Sequence, residues 1–215
     1  MDKSVSAVAH QFDDMAQQRE ASSLGMWVFL GTEILFFGGM FLAYIVYRSL
    51  YSQAFAEASH FMDLALGGIN TAVLLTSSLT MALAVHAAQQ GNKKRIIASL
   101  SATMLLGFAF LAIKAVEYAH KYEEHLVPGP NFHFPGPYAD HAQIYFILYF
   151  IMTGFHALHL IIGIGILSVM MAFAIRGKFT SAYHSPIEVS GLYWHFVDIV
   201  WIFLYPLLYL IHAYK

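Results

Sequence analysis

The sequence predicts an all-α integral membrane protein, a bundle of five transmembrane helices. Three observations carry that expectation. Of the 215 residues, 59% are hydrophobic and 11% charged, less than half the roughly 25% charge of soluble domains. The mean hydropathy is +0.60. The apolar residues also gather in five stretches of about 20 or more, the length that a hydrocarbon layer about 30 Å thick requires of a helix. Composition excludes a disordered chain, a secreted disulfide scaffold and a nucleic-acid binder. The absence of cysteine excludes iron–sulfur clusters, thiolate zinc or copper sites and c-type haem attachment for this chain. A net charge of -2 favours no charged partner.

The spans are Leu24–Tyr47, Leu64–Ala88, Ile96–Ala119, Ile144–Ile175 and Ile187–His212. All are apolar on every face, without the alternation of a lipid-facing strand, so helices that satisfy their own backbone are expected. The fourth exceeds one bilayer thickness and should tilt or extend beyond the membrane. Residues 1–23 read as a polar N-terminal segment and 24–215 as the membrane domain. That segment lacks a basic region followed by an apolar core, so it does not resemble a cleaved signal peptide. Ser49–Asp63 reads as a polar connection. Gln89–Arg95 reads as a tight basic turn around Gly91 and Asn92, and Arg176–Pro186 as a short link. Lys121–Gln143, with four prolines, reads as a long loop packed on the surface. Lys3, Arg19, Lys93, Lys94, Arg95, Arg176 and Lys178 fall on one side, against Arg48, Lys121 and Lys215 on the other, with Lys114 just inside its span. That bias predicts a cytoplasmic N-terminus and an outside C-terminus. No internal repeat is visible, which weighs against a transporter built from inverted halves.

Ionisable groups at membrane depth are costly, and each needs a reason. Glu33 lies about 13 Å into the first span, near mid-membrane. It reads equally as a neutral acid hydrogen-bonded to a neighbouring helix or as a proton-handling or lipid-sensing acid. Asp198 lies one turn beyond His195, where the pair could share a proton; an interhelical structural contact is the favoured reading. Lys114 and Glu117 are spaced to pair, and a snorkelling lysine with a local partner accounts for them. Among the 12 histidines, His156 and His159 lie three apart on one helix and could offer two metal ligands. A bis-histidine haem would need ligands on two helices at one depth, and His195 lies at another depth from His156. His120, His125, His133 and His141, in or beside the long loop, lack tight ligand spacing. Hydrogen bonding between helices is the better reading for the membrane histidines. Gly31, Gly38, Gly39, Gly67, Gly68, Gly163 and Gly165 would permit close helix approach. Trp27 and Trp194 fit interface anchoring, while Trp201 lies too deep for that role alone.

Certain strings together resemble subunit III of the haem–copper respiratory oxidases. The first span carries Gly25-Met26 and then Thr32-Glu33-Ile34-Leu35-Phe36-Phe37, like the family's GM…SEVLFF. The third ends in Glu117-Tyr118, like its EY pair. The fourth carries Thr153-Gly154-Phe155-His156-Ala157-Leu158-His159, like TGFHGLHV, and the last Tyr193-Trp194-His195-Phe196-Val197-Asp198-Ile199-Val200-Trp201, almost YWHFVDVVW. The resemblance runs from residue 24 to 212. It departs from the seven-helix mitochondrial form by lacking the first two helices, so the chain is similar to the five-helix bacterial type. Leu42 stands where the family has a tryptophan.

The resemblance implies a non-redox accessory subunit of a proton-pumping terminal oxidase, with haem and copper in partner subunits I and II. It implies support of proton uptake, protection against turnover inactivation, bound phospholipid and a bacterial inner membrane. No metal, cofactor or catalytic residue is expected in this chain. The intramembrane acid is Glu33, and the polar residues of the family motifs are Glu117, His156, His159, Glu188, His195 and Asp198. Cytochrome c is the expected donor. The alternatives are a quinol oxidase subunit III and a homologue associated with nitric oxide reductase, and from another class a small independent transporter or channel.

Overall fold

The computed structural model describes residues 11–181 and 183–210. Six helices follow one another: α1 Met15–Leu50, α2 Ser52–Ser59, α3 Leu64–Gln89, α4 Lys93–Glu123, α5 Ala139–Ile175 and α6 Ser185–Tyr209. Five of them, all but α2, are long and apolar enough to cross a membrane. Among the described residues the only β pairing is one bridge between Thr180 and Tyr183.

Three helix starts are fixed by side chains that satisfy otherwise orphaned N–H groups. The carboxylate of Asp14 accepts from Gln17 N at the start of α1, and that of Asp63 from Ala65 N and Leu66 N at the start of α3. Asn92 Oδ1 accepts from Arg95 N at the start of α4. Gly91, at φ +67°, makes the turn into α4 that other residues would strain to adopt. Capping explains why α1 begins at Met15 rather than Leu24 and α4 at Lys93 rather than Ile96. α5 begins at Ala139 rather than Ile144 without a side-chain cap. The 37 residues of α5 make a helix about 55 Å long, which extends past the hydrocarbon. The expected end of the last span at His212 lies outside the described residues; α6 is described to Tyr209.

Ser49–Asp63 is not simply a polar connection. It holds α2, whose Phe55 is fully buried, edge-on to Tyr44 of α1 and Tyr145 of α5, each with ring centroids 5.5 Å away. Helix α6 runs through the middle of the bundle, in contact with α1, α3 and α5. Its Trp194 and Trp201 are fully buried. Trp194 Nε1 donates to Ser77 Oγ at 2.8 Å and Trp201 Nε1 to Thr71 Oγ1 at 3.0 Å. Interface anchoring is therefore wrong for Trp194, whose indole finds its partner inside the protein, whereas Trp27 is 61% exposed. At the far end of α6, two of the last carbonyls, left without helical partners, accept from tyrosines: Tyr44 OH donates to Leu207 O, and Tyr145 OH to Leu208 O at 2.6 Å.

The glycines divide. A Cβ at Gly67 would stand 2.7 Å from the Tyr205 ring, and one at Gly163 3.1 Å from Trp194. Those two positions carry close approach. Around Gly31, Gly38, Gly39 and Gly165 a Cβ would meet nothing within 4 Å, so these four carry no close approach between helices of this chain. The three in α1 lie on a flank that the bundle leaves open. Gly107 and Gly191, not singled out from the sequence, do touch neighbours: a Cβ would reach Trp194 at 3.0 Å and Val85 at 2.9 Å.

Candidate functional site

Four polar assemblies lie along the bundle. The first joins α1 to α5. Glu33 Oε2 lies 3.0 Å from His159 Nε2, and His159 Nδ1 lies 2.8 Å from the backbone oxygen of Phe155. A carbonyl only accepts, so Nδ1 carries a hydrogen. One further proton then occupies the Nε2–Oε2 contact, and the pair is electrically neutral whichever atom holds it. Phe37 packs edge-on against the imidazole at 5.1 Å, and Tyr193 OH donates to His159 O at 2.9 Å. Glu33 is thus hydrogen-bonded to a neighbouring helix, as one of the two sequence readings requires.

The second assembly is a closed ring across α4, α5 and α6. Lys114 Nζ donates to Glu117 Oε2 at 3.1 Å, Tyr149 OH at 3.1 Å and Tyr209 OH at 2.9 Å. Tyr149 OH donates to Glu117 Oε1 at 2.7 Å, and Tyr209 OH to the same oxygen. All three ammonium hydrogens are used, and both carboxylate oxygens accept. Lys114 is 4% and Glu117 1% exposed, so the snorkelling reading is wrong. The cation turns inward because the ring and the faces of Tyr149 at 4.9 Å and Trp201 at 5.3 Å replace its hydration. Tyr149 and Tyr209 could not be read as members of this ring, since tyrosines near span ends ordinarily mark the membrane interface.

The third assembly surrounds His195 and Asp198. These two do not bond each other. His195 Nδ1 lies 2.8 Å from Ser78 Oγ on α3, which is the expected interhelical contact. Asp198, 3% exposed, has no hydrogen-bond partner on either oxygen among the described residues, although Ser78 is its polar neighbour. The fourth assembly lies where α1 and α6 begin. Glu188 is held by Arg19 at 3.1 Å, Gln89 Nε2 at 2.8 Å and His184 at 3.3 Å.

His156 and His159 do not act together. His159 turns to α1, whereas His156 is fully buried between Trp201 at 5.2 Å and Phe110 at 5.4 Å. Among the described residues no three His, Cys, Asp or Glu side chains are grouped to hold a metal ion. His141, in the first turn of α5 rather than in the long loop, packs tilted against Tyr51, with ring centroids 4.1 Å apart.

The sequence matches the profile of a known family, cytochrome c oxidase subunit III, over residues 6–213. The chain belongs to the cytochrome c oxidase subunit III family. It is 35% identical over 202 residues to cytochrome c oxidase subunit 3 of Carassius auratus and of Squalus acanthias, an alignment covering 86% of this chain and 67% of each relative. The corresponding chain of Danio rerio is 34% identical over the same extent. In this subunit III chain, Glu33, Glu117, His156, His159, Glu188, His195 and Asp198 all contribute to contacts between helices or lie buried among them.

Proposed function

We propose that the chain is the non-redox accessory subunit III of a proton-pumping cytochrome c oxidase, docked on catalytic subunit I beside subunit II in a bacterial inner membrane. The observation that carries this reading is the family match, which spans all five membrane helices. It is supported by the bundle's chemistry, in which Glu33 pairs with His159 and Lys114 with Glu117, Tyr149 and Tyr209. The catalytic subunit would hold the haems and copper, and this chain would support proton uptake and slow turnover inactivation.

A cytoplasmic N-terminus is part of the proposal. It is supported by Arg19 near the start of α1, Lys93, Lys94 and Arg95 at the turn between α3 and α4, and Arg176 and Lys178 after α5. The apolar flank of α1, with Leu35 77% and Leu42 63% exposed, would meet phospholipid or a partner helix. The reading is tested by purifying the complex through a tag on this chain. Haem-bearing subunits should copurify, and oxygen consumption should decay faster during turnover once this chain is removed. A colourless chain that purifies alone and moves solute across vesicles would overturn it.

A further inference from the structure

At the end of the bundle where α1 and α6 begin, a cleft of about 460 Å³ opens between α1 and α3 over α6. Arg19, Ser23, Ser185 and Glu188 form its polar rim. Its deeper wall is Val85, Gly191 and Leu192, together with the imidazole of His195. His195 is half-buried, so the cleft reaches a titratable ring that the rim alone does not hold. Behind that ring stands the Ser78 hydroxyl, 2.8 Å from Nδ1. The same Ser78 side chain neighbours Asp198, which is buried and has neither oxygen in a formed hydrogen bond among the described residues.

We propose that this cleft, with His195, Ser78 and Asp198, is a proton-exchange site that loads Asp198 from the aqueous side bearing Arg19 and Glu188. The geometry supplies each step. A proton taken up from water at His195 Nε2 is matched by one released from Nδ1 to Ser78 Oγ. The hydroxyl gives its own proton to a carboxyl oxygen of Asp198 after rotating toward it. An O–H bond of hydronium and the Nδ1–H bond break, an Nε2–H bond and a carboxyl O–H bond form, and the hydroxyl is restored; the imidazole is left as its Nε2–H tautomer, and unloading runs in reverse.

The surroundings favour a proton over a counter-ion as the group that neutralises Asp198. On α1 the nearest cation, Arg19, is engaged by Glu188 at the rim. α3 offers the hydroxyls of Ser77 and Ser78, and Ser77 is taken by Trp194. On α4 and α5, Lys114 and His156 lie around Trp201, farther along the bundle, and Lys114 is saturated by its own ring. His159 of α5 is committed to Glu33. A buried carboxylate with no cation beside it is strongly disfavoured, and the Ser78–His195 pair is the polar path by which its proton can reach the cleft. The closed ring of Lys114, Glu117, Tyr149 and Tyr209 has no spare donor, so the path ends within the bundle and does not cross it.

The use of this proton by a pumping partner rests on the accessory-subunit reading, which copurification tests separately. The exchange itself is tested by infrared spectroscopy of the intact oxidase in phosphatidylcholine vesicles after a pH jump on one side. The expected result is a carboxyl band that shifts with isotope labelling of aspartate and disappears in Asp198→Asn. It should follow pH on the side bearing Arg19 and Glu188, and respond about tenfold more slowly in Ser78→Ala, the effect of losing one hydrogen-bonded step. Isotope labelling assigns the band to aspartate, and Asp198→Glu, in which the band should lose its sensitivity to aspartate labelling, assigns it to this position if Asp198→Asn fails to assemble. A band that follows the opposite side, one unmoved by aspartate labelling, or an equally fast response in Ser78→Ala would overturn the proposal.

Discussion

The Glu33–His159 contact makes a sharp demand on substitution, because His159 Nδ1 is already spent on the Phe155 carbonyl. In Glu33→Gln the amide N–H donates to Nε2 in place of the acid, so complex recovery should stay close to wild type, with a cost under about 1 kcal/mol. Glu33→Leu leaves a buried ring nitrogen unpaired and should cost about 1–3 kcal/mol, read as lower recovery and faster thermal inactivation. Poor recovery of Glu33→Gln would instead show an ionised pair. Lys114 behaves differently. Lys114→Met removes all the charge compensation of Glu117 and should destabilise by about 3–5 kcal/mol. The double variant Lys114→Met with Glu117→Leu should recover part of that loss, and a thermal inactivation series on the four proteins measures the coupling. Both acids were legible from the sequence as anomalies in apolar runs. Their partners were not, because His159, Tyr149 and Tyr209 come from distant segments and nothing in their spacing marks them.

At the scale of elements, the five spans were legible because lipid demands apolar side chains on every face, and that composition persists over about 20 residues. The same all-round apolarity hides which face packs. A helix with no polar side gives no periodic signal, so packed and open glycines read alike. The structure separates them, and substitution should too. Gly163→Val drives a branched side chain into Trp194, whose ring would lie 3.1 Å from the new Cβ, and should cost about 1–3 kcal/mol or more. Gly31→Ala, which meets nothing within 4 Å, should leave the recovered complex unchanged or slightly more stable, as alanine favours the helix. Equal losses at both sites would mean that the α1 flank is closely covered in the assembly. The helix ends and α2 escaped the sequence reading for another reason. Asp14 and Asn92 extend α1 and α4 by capping rather than apolarity, and α2, with eight residues, is too short to stand out from a connection.

For the whole molecule, the decisive quantity is which side of the membrane each end of the bundle faces. The helices alternate in direction, so the turn between α3 and α4 shares a side with Arg19 and the link after α5, while the loop between α4 and α5 lies opposite. The cleft at His195 opens on the former side. If the lysines and arginines set orientation, that side is cytoplasmic, and the proton-exchange site draws on the same compartment that would feed a proton pump. The chain has no cysteine, which makes the test direct. Lys94→Cys and Asn131→Cys place single thiols at exposed positions on opposite sides of the bundle. In intact cells a membrane-impermeant thiol reagent should modify the cysteine at 131 and spare the one at 94 until the membrane is opened. The reverse pattern would turn the bundle over, place the mouth of the cleft outside, and remove His195 and Asp198 from any role in proton uptake from the cytoplasm.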